Sequence, residues 1–321
     1  MKILLVRPNT PKRSINLQSF MICEPLDLEY TASSLQANNH EVDLIDMILE
    51  KRPLVYFLKQ KNYDMVCMTA YITTVGVLKD YAKIVKEYNK NIIVCAGGVH
   101  AEVVPCDFVD PNIDYILWAN GVKTLVRIAN SFPHIDIDAI PGIYIENREK
   151  PQIVNGDLPF PDRAITKKYR DNYNYIYHNK CATIKTSFGC PYKCKFCFCT
   201  QICDYCVRNI DQVLDELEMI EEKNVFIVDD DFLVSRERLL KFVEGLERRS
   251  INKHYIAFGR ADFIAANEDM IVLLHRHGFD AFFVGIESFK NSELSDYTKK
   301  TNVEINVKAV NILERNGLQC Y

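Results

Sequence analysis

The sequence predicts an α/β chain in two parts, an open doubly wound parallel sheet followed by a partial (β/α) barrel that breaks off at its fifth strand. Three observations carry this. Short apolar runs alternate with amphipathic stretches along the chain, as parallel strands joined by crossover helices require. A proline-rich, polar interval interrupts the alternation midway. Seven of the twelve cysteines lie between Cys181 and Cys206, around the strand that restarts it. At 321 residues the chain suits two domains of about 150 residues each. The expected division is 1–145, then 146–180 as hairpin and linker, then 181–321.

In the first part, Lys2–Val6 is an apolar strand stopped by Arg7-Pro8-Asn9-Thr10. Glu24–Gln36 carries Leu28, Ala32 and Leu35 on one helical face, and Val75–Tyr88 carries Leu78, Ala82 and Val85. Val42–Ile45, Met65–Thr69, Ile92–Ala96 and Tyr115–Trp118 read as buried strands. In such a sheet, ligands bind beyond the carboxyl ends of the strands. Pro141–Asn155 reads as a short hairpin, and Asp157-Leu158-Pro159-Phe160-Pro161-Asp162-Arg163 holds too much proline for an element. Arg163–Lys180 reads as the connection. Beyond it, strands at Ala182–Ser187, Val225–Val228, Tyr255–Gly259 and Ala281–Ile286 alternate with helices. The helices span Asn209–Lys223, Arg236–Arg249, Glu268–His277 and Glu304–Asn316, the last closed by Gly317. Leu318–Tyr321 begins a fifth strand, so a fragment of a longer protein is expected.

Lys plus Arg is 39 and Asp plus Glu 43, a net charge of −4 with no long basic run. That argues against a nucleic-acid or anionic-membrane partner. No apolar stretch approaches the about 20 residues of a membrane span, and the amino terminus lacks a secretory pattern. A cytoplasmic protein is expected. In a reducing compartment, clustered cysteines ligate metal more often than they pair. Cys190-Pro191-Tyr192-Lys193-Cys194-Lys195-Phe196-Cys197 is C-x3-C-x2-C. Three thiolates on one short loop match three irons of a cubane [4Fe–4S] cluster, with the fourth iron open. Zinc is the alternative, although structural zinc takes four ligands, usually as two separated pairs.

These residues resemble a known family. Gly189 through Cys197 resembles the signature of radical S-adenosylmethionine (SAM) enzymes, including the aromatic Phe196 before the third cysteine. Gly97-Gly98-Val99-His100, then Pro105, is similar to the Rossmann-like cobalamin-binding domain of one large subgroup, and Leu158–Arg163 to its linker. Asp229-Asp230-Asp231-Phe232, Gly259-Arg260-Ala261-Asp262 and Gly285-Ile286-Glu287-Ser288 resemble its second, third and fourth strand ends. The resemblance covers almost the whole chain, with six motifs in order.

The resemblance implies three cofactors. Cys190, Cys194 and Cys197 would hold the [4Fe–4S] cluster. SAM would bind the open iron and be cleaved reductively to methionine and a 5′-deoxyadenosyl radical. Its candidate contacts are Phe196, Asp230, Asp231, Arg260 and Glu287: a carboxylate for the ammonium, the Arg260 fork for the carboxylate, and Glu287 for ribose or amino group. Candidates for cobalamin are Thr69, Tyr71, Thr73, Gly97, Gly98 and His100, the glycines permitting close backbone approach. Arg7–Lys12 lacks the Asp-x-His-x-x-Gly histidine, leaving the lower face of cobalt to water, nothing, or a side chain of Thr69–Thr74. No residue receives a catalytic role.

The implied activity is methyl transfer to an unactivated carbon or phosphorus of a small-molecule or peptide substrate. The enzyme would work anaerobically, with electrons from a donor such as flavodoxin or ferredoxin. An anaerobic cyclase or ring-forming enzyme and a non-catalytic cobalamin or redox module are the alternatives. A nicotinamide dehydrogenase is disfavoured, since Arg7–Lys12 has no Gly-x-Gly-x-x-Gly. A second C-x3-C-x2-C triplet, Cys199, Cys203 and Cys206, follows the first. It reads either as an auxiliary metal site with Cys181 as fourth ligand, or as thiols packing like small hydrophobes.

Overall fold

The computed structural model describes residues 1–11, 17, 20–152 and 159–321. Lys12, the end of the expected hairpin at Asn155, and Asp157 and Leu158 of the linker motif lie outside the described residues. The chain divides into two compact units, Met1–Asn172 and Tyr173–Tyr321. None of the described helices is long and apolar enough to cross a membrane.

The first unit is a parallel sheet of β1 (Lys2–Arg7), β2 (Glu41–Asp46), β3 (Met65–Thr69), β4 (Ile93–Gly97) and β5 (Tyr115–Ile116), in the order β2-β1-β3-β4-β5. Period-two alternation sorts its side chains onto two faces. Leu4, Val6, Val66, Met68, Val94 and Ala96 join one cluster with Leu78, Ala82 and Val85 of α3 (Val75–Tyr88). Ile3, Leu5, Met65, Cys67 and Cys95 join the other, with α1 (Leu26–Gln36) and α5 (Gly121–Ser131). Two short helices, α2 (Leu54–Leu58) and α4 (Val99–Val103), complete the layers, and a third, α11 (Asn291–Asp296), lies in the second unit. Strand order reverses between β1 and β3, so the loops after those two strands flank the switch point at which such sheets bind ligands.

Three local expectations change. The strand expected over Tyr115–Trp118 ends at Ile116, because Leu117 turns to an antiparallel bridge with Ile143. That bridge replaces the expected hairpin among the described residues of 141–155. Arg163–Asn172, read as connection, is a 3₁₀ segment built into the first unit. Its Thr166 is fully buried and hydrogen-bonds to Glu29 of α1 at 2.5 Å. Arg163 and Arg170 both clasp Glu24, which is 4% exposed. Burial, then the neighbouring Glu24 charge, pushes the Glu29 carboxyl up to about 8, and its Oε2 has no hydrogen-bond partner.

In the second unit, β8 (Cys181–Ile184), β11 (Asn224–Ile227), β12 (His254–Gly259), β13 (Phe279–Val284) and β14 (Gln319–Cys320) form a parallel sheet in sequential order. The order has no switch point, the stepwise path of a (β/α) barrel. A hairpin, β6 (Asn174–Tyr175) with β7 (His178–Asn179), precedes it. Helices α7 (Ile210–Met219), α8 (Arg236–Arg248), α9 (Ala261–Ala266), α10 (Glu268–Arg276) and α12 (Val303–Arg315) supply Val213, Leu217, Phe242, Ile264, Ile271 and Ile312 to one core. Phe226, Phe258 and Phe283 pack ring to ring on three adjacent strands, joined by Tyr175 and Tyr321.

Caps explain the helix limits. Asn209 accepts from the backbone N–H of Asp211 at 2.8 Å and so starts α7. That helix stops at Met219, short of the expected Lys223, because Ile220 turns extended into the core. Gly317, at φ +78°, closes α12 as expected, with the Leu318 N–H bonding to Leu313 O.

Replacing Glu24 with Ala leaves two half-buried guanidinium groups without this carboxylate. We expect chemical denaturation to show a loss of about 3 kcal/mol in the first unfolding transition.

Candidate functional site

The cysteine loop leaves β8 through a built-in anchor. The strand stops at Ile184 rather than the expected Ser187, because Thr186 and Ser187 turn their polar groups to Asp229. That carboxylate, 1% exposed beyond the end of β11, accepts the Thr186 N–H (2.6 Å) and the hydroxyls of Thr186 (2.5 Å) and Ser187 (2.7 Å). The chain then pairs antiparallel, β9 (Ser187–Phe188) against β10 (Cys206–Val207). Gly189 turns it at φ +66°, where a Cβ would lie 2.8 Å from Cys203 O and 2.9 Å from Asp204 O. Only glycine fits there.

Cys190, Cys194 and Cys197 follow, all half-buried and free of disulfides. Among the described residues, no three His, Cys, Asp or Glu side chains converge closely enough to hold a metal ion. The loop carries three soft thiol donors without drawing them to one point. Their environments differ. Burial pushes the Cys190 thiol up to about 11, whereas a hydrogen bond from Cys199 pulls Cys197 down to about 6.

The consecutive acids Asp229, Asp230 and Asp231 have three separate tasks. Asp229 is the anchor already described. Asp230 is half-exposed, with Lys185 Nζ 3.8 Å away. Asp231 is 2% exposed and its Oδ1 accepts the Leu233 N–H, but its Oδ2 has no partner. Burial, only partly offset by Arg260, pushes its carboxyl up to about 7. A buried, unpaired carboxylate oxygen at a strand end suits a cationic ligand group.

Arg260 follows the end of β12, as expected. Its guanidinium is held by Asp262 (2.9 Å) and by Lys299 O (2.6 Å), lies 3.7 Å over the Tyr192 ring, and points Nη1 at Cys194 Sγ (4.0 Å). These contacts use Nε and Nη2 and brace the cysteine loop, while Nη1 approaches only the Cys194 sulfur. Glu287 adopts φ +63°, rare for a non-glycine residue, and its Oε1 accepts from Lys299 Nζ at 2.9 Å. Phe196 is half exposed and meets Tyr297 edge-on at 5.6 Å.

Sequence reading missed the segment Tyr297–Lys299. Tyr297 O accepts the Lys195 N–H, Thr298 donates to Lys193 O, and Lys299 lies beside Glu287 and Phe196. It belongs to none of the strand-end motifs, and only the fold returns it to the cysteine loop.

Like the first, the second triplet is not drawn to one point among the described residues. Cys199 is buried in α6 (Cys199–Ile202) against Cys197, Cys206 sits opposite Phe188, and Cys181 starts β8 at its far end. Cys181 is therefore a full strand away from the carboxyl-end loops and is not the fourth ligand of that set.

In the first unit, Thr69 ends β3 and donates to Asp27 at 2.9 Å. Tyr71, Ile72 and Thr73 follow it exposed at the switch point. Gly97 ends β4, and Gly98 has φ +99° with a prospective Cβ 2.4 Å from Thr69 Oγ1. His100, 8% exposed, points its Nε2 to the Asp107 carboxylate (2.8 Å). The chain's glycine turn and exposed Tyr71–Thr73 loop suit a flat ligand at the strand ends; the His100 ring is committed elsewhere.

A B12 binding domain model matches residues 13–129, and a Radical SAM superfamily model matches residues 184–321. Hopanoid C-3 methylase of Methylococcus capsulatus is 28% identical over 99% of this chain and 63% of its own length. An anaerobic magnesium-protoporphyrin IX monomethyl ester cyclase of Rubrivivax gelatinosus is 23% identical over 99% of this chain and 61% of its own. The structure of OxsB, a cobalamin-dependent SAM radical enzyme with aqua-cobalamin and SAM bound, superposes with a TM-score of 0.78 at 20% identity. That match covers 99% of this chain and 48% of OxsB, so the fold is shared. The chain spans about three fifths of these curated relatives.

Desolvation raises Asp231 well above the ordinary carboxylate value, so its charge costs stability once pH exceeds that value, and the cost is complete above about 7. In protein without iron, Asp231→Asn should therefore raise the melting temperature more at pH 8 than at pH 5. Equal shifts at both pH values would refute the uncompensated-charge reading.

Proposed function

This chain belongs to the radical SAM enzymes that carry a cobalamin-binding domain, and from that premise we propose that it serves methyl transfer to an unactivated carbon. The observation that carries the reading is the three-thiol loop, braced by Asp229 and Arg260, with the unpaired Asp231 Oδ2 beside it. When bound, the cluster supplies the electron that cleaves SAM, and cobalamin supplies a methyl carrier.

The chain's own residues bind, orient and shield. Cys190, Cys194 and Cys197 are the cluster ligands in this reading. Asp231 receives the SAM ammonium, whose charge compensates a carboxylate that burial otherwise penalises. Glu287 offers the oxygen that Lys299 leaves open to ribose or amino group, and Asp230 lines the approach. Phe196 shields the last thiol from water. Arg260 fixes the loop through Tyr192 rather than touching SAM. In the first unit, Thr69, Tyr71, Thr73, Gly97 and Gly98 form the cobalamin cradle, with His100 held by Asp107. A small-molecule substrate is supported by the methylase relative. The cyclase relative supports ring formation as the second reading, and in either case a reduced flavodoxin or ferredoxin is the suited electron donor.

After anaerobic reconstitution with iron, sulfide and hydroxocobalamin, the chain should hold about four irons and stoichiometric cobalt. Cys194→Ala should lose the irons and all 5′-deoxyadenosine formation; retained cleavage would sink the assignment. Cys203→Ala should leave both intact, whereas further loss of iron from the complete first cluster would reinstate the auxiliary site.

A further inference from the structure

Lys299 is a buried lysine that the reading above does not use directly. Its side chain is 9% exposed, and its ammonium meets Glu287 Oε1 at 2.9 Å and faces the Phe196 ring at 5.8 Å. Its carbonyl accepts from Arg260 Nη2 at 2.6 Å. The charge of Lys299 also favours ionisation of Cys197 and, in small part, offsets the burial that raises Asp231. One residue thus touches the cysteine loop, the end of β12 and the chain beyond β13.

The backbone around it is unusual. Glu287 (φ +63°), Thr298 (+52°) and Lys300 (+57°) are all non-glycine residues in the left-handed region, at both ends of the ion pair. Such a conformation is unfavourable for a non-glycine residue and persists only where its surroundings over-determine it. Gly285 explains how the pair fits: a Cβ there would lie 2.4 Å from Glu287 Oε1 and 2.7 Å from Lys299 Nζ. The ion pair fills the hollow that this missing side chain leaves. Glu287 Oε2 makes no hydrogen bond among the described residues.

We propose that Lys299 is a positioning residue for SAM: it takes Oε1 of Glu287 over Gly285 and so presents Oε2 to the ligand. The proposal rests on the reading of Glu287 as a SAM contact. The Lys–Glu pair is paid for by local backbone strain and is built before any ligand arrives. Lys299 itself need not touch SAM, because its second function is to hold the cysteine loop through its carbonyl and through Phe196.

The test compares Lys299→Met, Lys299→Arg, Gly285→Ala and Glu287→Gln after anaerobic cluster reconstitution, with SAM affinity measured calorimetrically. Iron content and melting temperature serve as controls. Lys299→Met should keep its irons yet bind SAM about tenfold more weakly, and Lys299→Arg should restore most of that loss. Gly285→Ala, which changes no charge, should weaken SAM binding similarly by displacing the pair. Combining Lys299→Met with Glu287→Gln should cost little beyond either alone, because one residue acts through the other. Unchanged affinity in Lys299→Met, full additivity in the double variant, or iron loss that Arg does not restore would each overturn the proposal. Failure of the loaded, unaltered chain to bind SAM would instead overturn the family reading beneath it.

Discussion

Asp229 is the constraint on which the rest of the cysteine-loop site depends. A carboxylate almost wholly removed from water must be met by donors, and it collects three of them from Thr186 and Ser187. Those two residues are the ones at which β8 gives way to the cysteine loop. Burial of Asp229 thus fixes where the strand ends and in which direction the loop departs. Gly189 then turns the chain so close to the Cys203 and Asp204 carbonyls that a Cβ would lie within 3 Å of both, and β9 pairs with β10.

From that anchor the remaining charges sort themselves by solvation. Asp229 is satisfied, Asp230 is wet, and Asp231 is dry with one oxygen unpaired. The cations nearby are already committed: Arg260 to Asp262, the Lys299 carbonyl and the Tyr192 face, and Lys299 to Glu287. The loop bearing the thiols is therefore held on a frame of made interactions, while an uncompensated buried oxygen, Asp231 Oδ2, is left for something that comes from outside. Preorganisation of this kind places the cost of ordering in folding rather than in binding.

The first unit follows a different logic. Its reversal of strand order opens a crevice by topology alone, and Gly98 at φ +99° lets the chain pass within contact of Thr69 and Ala70. One of its buried ion clusters is a tie, in which Arg163 and Arg170 fasten the 3₁₀ segment to Glu24 before α1. That network is a fastening, and it makes the tyrosine-rich stretch after the proline motif part of the unit.

Period and punctuation determined much of this fold in advance. Met65–Thr69 and Val75–Tyr88 are found with the limits that their apolar spacing predicts, and the helix before Gly317 ends where glycine can adopt a positive φ. The cysteine spacing, with strand-end motifs in order, was enough to reach the family. Local pattern has no access to contacts between residues far apart in sequence, and these decided the rest. Only packing turns Leu117 to Ile143 and ends α7 at Met219. It also separates three adjacent aspartates into anchor, wet and dry, spends Arg260 on Tyr192, and brings Lys299 back to Glu287. Burial and partner geometry are properties of the assembled sheet, and a side chain's charge acquires its function only from them.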